Sequence, residues 1–161
     1  MPIKRNENIV PLSQDHHLSL LFGWKIKQGL KADIELSRIL SYVHYFEDVH
    51  LLPHFKEEEE LLFEPNKESE LVQKGMQDHG AIRNILKRLY EAENEQEQIA
   101  HLTLLADAVE AHVRFEEREL FPALETMVQP QQLKAVGEAL AASHPVQNVD
   151  DFADEFWVIK K

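Results

Sequence analysis

The chain has 161 residues, of which 43% are hydrophobic and 29% charged, enough for one domain with a buried core. Its formal net charge of -12 argues against nucleic acid or an anionic membrane surface as a partner, because both repel an acidic protein. The chain has no cysteine, which excludes disulfides and thiolate metal sites, so any metal must be held by nitrogen and oxygen.

Two features of the sequence bear on location. No apolar run approaches the roughly 18 to 20 residues that cross a bilayer. The first ten residues, MPIKRNENIV, carry charge but lead into no apolar stretch of the secretory type. We therefore expect a cytoplasmic location.

The first half of the chain predicts two helices. The first follows Pro11, with Ser13 in the N-cap position. Asp33 is a candidate N-cap for the second, which stops at Pro65, since the residue before a proline disfavours helix. Pro53 lies inside this second pattern and is expected to bend or break it, because proline lacks the backbone donor.

The second half predicts three more helices. Ser69 opens the third, and the fourth runs over about residues 96–121, ended by Pro122. Pro130 begins a shorter fifth helix, closed by Pro145.

Four long helices with short links predict an all-α fold, an up-down four-helix bundle with a short additional C-terminal helix and tail. We expect a single domain over residues 1–161, with the core bundle in about 11–126 and the additional helix and tail in 127–161. The tail carries Phe152, Phe156 and Trp157 and is expected to pack back on the bundle.

A repeated motif points to the chemistry. HFKEEEELLF (residues 54–63) aligns with HVRFEERELF (residues 112–121), which matches His54 with His112 and Glu58 with Glu116. Residues four apart stand above one another on a helix, so each histidine and glutamate pair points to one place. A carboxylate turned toward apolar neighbours is costly unless it is paired or binds a metal.

A second repeat supplies two more histidines. QDHH (residues 14–17) aligns with QDHG (residues 77–80), which matches Asp15 with Asp78 and His16 with His79. Each half of the chain therefore reads as Asp-His on one helix and His-x-x-x-Glu on the next. The candidate metal ligands are His16, His54, Glu58, His79, His112 and Glu116.

Four imidazoles and two carboxylates suit two iron ions, and each glutamate is able to bridge them. Zinc or manganese also fits a ligand set of nitrogen and oxygen, and the spacing leaves a mononuclear or a dinuclear centre open. The aspartates at 15 and 78 are better suited to helix N-terminal charges or to supporting the histidines than to binding metal.

These four segments, in this order and spacing, resemble the hemerythrin-like family, also called HHE cation-binding domains, over residues 11–126. The resemblance implies a four-helix bundle around an oxo- or hydroxo-bridged di-iron centre that binds oxygen, nitric oxide or peroxide, or that senses iron or redox state. It further implies that one iron is bound by His16, His54 and Glu58. The other iron would be bound by His79, His112 and Glu116.

One position departs from the family pattern. Oxygen-carrying hemerythrins place a second histidine four residues after the one on the third helix, where this chain has Arg83. The departure favours a sensing, peroxide-reacting or nitric-oxide-related role over reversible oxygen storage.

Several assignments remain alternatives at this point. His16 lies on the apolar arc of the first helix, but His17 also has apolar neighbours three, four and seven residues on. His50, four residues before His54, is a possible extra ligand. Glu57 and Glu60 read as solvent-exposed, and His144 reads as a surface or packing residue because it has no repeated counterpart.

We expect ligand binding or sensing at the metal centre rather than sustained catalysis. Ferritin-like di-iron oxidases place glutamate and histidine three apart, with glutamate first, whereas here the spacing is four and histidine comes first. The alternatives are a di-iron oxidase or peroxidase and a regulatory module whose metal changes its stability or surface. Nothing in the sequence identifies a protein partner.

Overall fold

The computed structural model describes residues 4–144 and 148–158. All regular secondary structure in these two ranges is helical and none of it is strand, which confirms the predicted all-α class. None of the helices in this part of the chain is both long and apolar enough to cross a membrane.

Long helical stretches, interrupted by wider π turns, make up most of the described chain. The α-helices are α1 (Val10–Lys31), α2 (Leu36–Phe46), α3 (Leu52–Glu58), α4 (Glu70–Tyr90), α5 (Glu95–Phe115), α6 (Phe121–Met127) and α7 (Pro130–Ser143). The π turns are Glu47–Leu51, Glu59–Phe63 and Glu116–Leu120, and the 3-10 turns are Glu7–Ile9 and Glu64–Asn66. The π turns join α2 to α3 and α5 to α6, so residues 36–63 and 95–127 each form one long helical stretch.

The starts of the first two helices differ from the prediction. Ser13 is not the N-cap of α1, which begins at Val10 after a 3-10 turn capped by the side chain of Asn6. Ser13 Oγ instead donates a hydrogen bond to Glu117 Oε1 at 2.6 Å. Asp33 is not the N-cap of α2 either, because it sits in the left-handed region (φ 57°) within the connection before the helix.

Two prolines occupy equivalent places in the long stretches. Pro53 lies in the first turn of α3 and Pro122 in the first turn of α6, each directly after a π turn. At Pro53 the α-helix is interrupted by a π turn, but the helical stretch continues. The prediction that Pro122 ends its helix is wrong, because the wider turn before it relieves the missing donor and the ring clash that would stop an α-helix.

Three further boundaries follow the prediction. Ser69 is the N-cap of α4, and its side chain accepts from the backbone N–H of Val72. The helical stretch over residues 36–63 gives way to a 3-10 turn that contains Pro65. Pro130 begins α7. Pro145, predicted to close that helix, lies outside the described residues.

The buried side chains form two clusters, and histidines lie between them. Phe55 of the larger cluster stacks on His79, with ring centroids 3.7 Å apart. Phe121 of the smaller cluster stacks on His16 at 5.3 Å. The polar candidate ligands are therefore enclosed by aromatic rings from both sides, which keeps their surroundings dry.

The C-terminal segment packs back on the helices, as predicted. The rings of Phe152, Phe156 and Trp157 lie 5.2, 5.6 and 5.4 Å from the ring of Tyr42 on α2. Asp150 accepts hydrogen bonds from Tyr42 and from Lys25 of α1. Aromatic packing and a buried ion pair together hold this segment in place.

The close approach of α1 and α5 yields a stability prediction. A Cβ atom at Gly23 would lie 3.3 Å from the backbone oxygen of Ala106, which has no freedom to move away. Gly23→Val is expected to lower the free energy of unfolding by about 1–3 kcal/mol through overpacking. The matched change Gly80→Val, at a position with open space around it, should alter it by less than about 0.5 kcal/mol in the same denaturant titration. Equal effects at both positions would contradict this packing.

Candidate metal centre

The six predicted ligands converge in the structure. They form two groups, His16, His54, Glu58 and Glu116, and Glu58, His79, His112 and Glu116. Within each group, one nitrogen or oxygen atom from every residue lies within 4.8 Å of the others. All six side chains are buried, with at most 4% of their surface exposed, and both glutamates belong to both groups.

The first group joins three long helical stretches. His16 Nε2 of α1 lies 3.0 Å from Glu116 Oε1, so the first and last stretches meet here. His54 Nε2 lies 3.1 Å from Glu58 Oε1 one turn along α3, although the two atoms are not aligned for a hydrogen bond. The helical spacing of four that was read from the sequence therefore points both side chains to one place.

The second group has the same plan. His112 Nε2 lies 3.0 Å from Glu116 Oε1, and His79 Nε2 lies 3.3 Å from Glu58 Oε1. The two Nε2 atoms of His79 and His112 are 3.1 Å apart. Nitrogens from both histidines thus face each other and the shared carboxylates, an arrangement suited to a common cation.

The duplicated motif also duplicates a backbone feature. A π turn follows Glu58 at Glu59–Phe63, and another begins with Glu116 at Glu116–Leu120. Such wider turns inside α-helices occur often at functional sites. Here each turn lets the helix continue immediately beyond a buried carboxylate.

The electrostatics of the two glutamates are opposite. Burial raises the pKa of Glu58 well above its usual value, and the negative charge of Glu116 raises it further. Burial also pushes the pKa of Glu116 upward, but the charge of His112 and hydrogen bonds from its neighbours hold it well below the usual value. Without a cation, Glu58 therefore holds a proton more tightly than Glu116 does.

The histidines of the second group are also shifted in opposite directions. Burial lowers the pKa of His112, but Glu116 and Asp78 outweigh this and raise it to about 10. Burial and the positive charge of His112 lower the pKa of His79 to about 4. The protons are therefore held at His112 and Glu58, where metal binding would have to displace them.

Several buried atoms of the site lack hydrogen-bond partners among the described residues. Four of them are Glu58 Oε1, Glu58 Oε2, Glu116 Oε2 and His54 Nε2. An unpaired buried polar atom costs about 1–3 kcal/mol. Metal coordination would satisfy all four, and imidazole with carboxylate is a donor set that iron, manganese and zinc accept. The residues present therefore fit a metal.

Carboxylates support the outer nitrogens of the histidines. Asp15 Oδ2 lies 2.8 Å from His54 Nδ1, and Asp78 Oδ2 lies 3.0 Å from His112 Nδ1. These contacts agree with the supporting role that the sequence suggested for the two aspartates. A carboxylate at the outer nitrogen fixes the ring orientation and makes the inner nitrogen a stronger ligand.

Two supporting glutamates were missed by the sequence analysis. Glu59 Oε2 lies 2.6 Å from His79 Nδ1, and Glu117 Oε2 lies 3.3 Å from His16 Nδ1. Arg83 pairs with Glu59, and Arg5 pairs with Glu117. The signal was present, because the repeat that matches Glu58 with Glu116 matches these two glutamates one residue later.

Two other expectations were wrong. Glu57 is not simply a solvent-exposed charge and His144 is not merely a surface or packing residue, because His144 Nδ1 lies 2.9 Å from Glu57 Oε1. His144 Nε2 also lies 3.1 Å from Asp15 Oδ1. No repeated motif marks the C-terminal segment, so the pattern that identified the other histidines gave no signal for this one.

The structure distinguishes the alternative histidine ligands by where they lie. His16 is buried among the candidate ligands, whereas His17 is exposed. His50 is buried but its Nε2 contacts the Tyr45 hydroxyl at 3.1 Å, and it belongs to neither ligand group. Arg83 has 42% of its side chain exposed and contacts Glu59.

A family model described as Hemerythrin HHE cation binding domain matches residues 14–124 and, in a second match, residues 70–145. The first match spans more than half of the chain and includes all six candidate ligands. The second begins at the helix that carries Asp78 and His79, as expected if the two halves repeat one pattern. No curated protein and no solved structure matches the chain.

The raised pKa values predict how pH affects the metal-free protein. Since the pKa of His112 is raised to about 10 from 6.5, its stabilising contribution is complete below pH 6.5 and lost as pH rises toward 10. The pKa of Glu58 is also raised, so its contribution to stability is likewise lost as pH rises. Chemical denaturation should therefore show a free energy of unfolding that falls from pH 6.5 to 10. His112→Gln should flatten this slope and His17→Gln should not; an unchanged slope in His112→Gln would contradict the assignment.

Proposed function

Because the chain belongs to the hemerythrin HHE cation-binding domain family, we propose that its six buried ligands hold two iron ions. We further propose that this pair binds oxygen, nitric oxide or peroxide, or senses iron or redox state. The observation that carries the proposal is the position of Glu58 and Glu116. Both are completely buried. Each places an oxygen within 4.8 Å of a nitrogen of both histidines in each group.

The shared glutamates favour two metal ions over one. His16 and His54 lie in one group and His79 and His112 in the other, with both carboxylates common to the two groups. A carboxylate has two oxygens, so each can contact a cation on either side. Two divalent cations would also neutralise the buried negative charge and replace the protons held at Glu58 and His112.

The identity of the metal rests on the ligand set and on the family. Nitrogen and oxygen ligands accept iron, and also zinc or manganese as possible substitutes. Iron would supply reversible electron transfer and open coordination positions for a small ligand. The protein's own contribution is to fix the imidazoles through Asp15, Asp78, Glu59 and Glu117, and to exclude water with Phe55 and Phe121.

Arg83 supports a role other than reversible oxygen storage. It stands four residues after His79, where the oxygen-carrying relatives supply a further histidine, and its guanidinium pairs with Glu59. One fewer imidazole leaves more of the coordination shell to carboxylate or to an external ligand. This supports sensing or reaction with peroxide or nitric oxide.

We also infer that the long helical stretches form the predicted up-down four-helix bundle. The contacts of α5 with both α1 and α4 support this inference, as do the short connections between successive helices. Di-metal sites in such bundles are built from inward-facing side chains of neighbouring helices.

A regulatory role is a second candidate, favoured by one contact. Asn148 of the C-terminal segment donates a hydrogen bond to Asp15 Oδ1 at 2.9 Å, and Asp15 Oδ2 contacts His54. The segment is thus one residue away from a proposed iron ligand. A change in metal binding at the centre can therefore affect the C-terminal segment through Asp15.

The principal test counts iron in purified protein after anaerobic reconstitution. The proposal predicts about two irons per chain and ligand-to-iron charge-transfer bands after oxidation. Glu116→Gln should reduce the count to about one or less, because it removes the shared negative charge. Glu119→Gln, an exposed glutamate in the same π turn, should keep about two. Less than one iron in the unaltered chain, without such bands, would contradict the proposal.

The regulatory candidate predicts a metal-dependent change in the C-terminal segment. Limited proteolysis should cleave within residues 148–158 more slowly in the iron-loaded protein than in the metal-free protein. Asn148→Ala should abolish that difference, while Val149→Ala, an exposed neighbour, should preserve it. Equal cleavage of the loaded and metal-free forms would exclude this route of regulation.

A further inference from the structure

A third group of metal-ligating side chains lies beside the proposed centre. Asp15, Glu57 and His144 each place one nitrogen or oxygen within 4.8 Å of the other two. They come from α1, α3 and the residue that follows α7, so three separate parts of the chain meet here. None of the three belongs to the six ligands of the centre.

This group borders a cavity whose wall includes one ligand of the centre. The cavity has a volume of about 380 Å³, and its wall includes Asp15, Glu57 and His144 together with His50, His54 and Glu60. His54 is also one of the six proposed iron ligands. The third group therefore lies on the outer side of His54, next to the centre.

Two residues of this wall carry polar atoms without hydrogen-bond partners among the described residues. His50 is 4% exposed, and its Nδ1 has no hydrogen-bond partner among the described residues, while its Nε2 contacts Tyr45. Glu57 Oε2 is likewise buried without a partner. Unpaired nitrogen and oxygen atoms at a cavity wall are available to replace the water ligands of a metal ion.

The burial of the centre favours a nearby site where an arriving ion exchanges ligands. An ion that enters a dry site must exchange its water ligands for protein ligands, because a bare charge in an apolar interior is strongly disfavoured. Three carboxylates of the cavity wall, those of Asp15, Glu57 and Glu60, outnumber the single amine of Lys56. Their negative field attracts cations to this side of the protein.

The other half of the repeat has less negative charge beside its aspartate. Asp78 is the counterpart of Asp15, but it pairs with the Nζ of Lys74 at 3.0 Å and its side chain is 25% exposed, against 6% for Asp15. A fixed amine beside Asp78 repels an incoming cation. The third group therefore makes the side of the centre at Asp15 more attractive to cations than the side at Asp78.

We propose that Asp15, Glu57 and His144 form an entry site, where Fe²⁺ binds transiently before it reaches His54 and the centre. This inference rests on the proposed function. In the structure, the His144 ring bridges the two carboxylates, with distances of 2.9 Å to Glu57 and 3.1 Å to Asp15. An arriving cation takes the place of the ring between the carboxylates, and the ring turns one nitrogen toward it.

The test measures how fast the metal-free full chain takes up Fe²⁺ in an anaerobic stopped-flow experiment. Glu57→Gln and His144→Gln should each slow uptake by about tenfold, within the range over which local charge changes association rates. The final content should remain at about two irons per chain, since neither residue belongs to the centre. Glu60→Gln is the matched control, because it removes charge from the same cavity wall without removing a ligand of the group.

The outcomes separate the entry site from the centre. Slower uptake in Glu57→Gln than in Glu60→Gln, with unchanged final iron, supports the entry site. Unchanged uptake, or equal slowing in both variants, would overturn it while leaving the centre intact. Failure of the unaltered chain to bind two irons would instead contradict the proposed function itself.

A second measurement does not depend on uptake kinetics. Mn²⁺ added to the zinc-loaded protein should bind at the entry site and broaden the NMR signals of the Asn148 side-chain amide, which contacts Asp15. The broadening should be lost in Glu57→Gln and retained in Glu60→Gln. Equal broadening in the two variants, or none in the unaltered chain, would overturn the entry site.

Discussion

Two completely buried carboxylates, those of Glu58 and Glu116, are the constraint on which this structure depends. Negative charge in a dry interior is tolerated only when protons, hydrogen bonds or metal ions balance it. Without metal, the raised pKa values of Glu58 and His112 favour protons that contribute to that balance. Two cations between four imidazoles would supply it more completely, and they would also satisfy the oxygens that now lack partners.

The repeat explains how one chain builds such a site. Each half contributes an aspartate and histidine from one helix and a histidine and glutamate from the next, and each histidine has a carboxylate near its outer nitrogen. The equivalence ends at the C-terminal segment, where His144 and Asn148 contact Asp15 and nothing equivalent is described beside Asp78. Because only one side receives this addition, the two proposed metal positions need not behave alike.

The sequence was sufficient for the parts of the site that follow helical geometry. A spacing of four places His54 with Glu58 and His112 with Glu116, and the repeat selects His16 over His17. It also contained the signal for Glu59 and Glu117, which was not used. The continuation of the helix past Pro122 could not be predicted, because a π turn depends on tertiary packing rather than on local propensity. The contacts of His144 depend on where a distant segment docks, which no local pattern encodes.

The central claim is that both glutamates lie between two metal ions. Anomalous diffraction at the iron edge, from crystals of the reconstituted protein, tests it most directly. The account predicts two peaks about 3.5–4 Å apart, with Glu58 and Glu116 between them and a histidine pair beside each peak. A single peak, or iron bound elsewhere with both carboxylates directed away from it, would contradict the account.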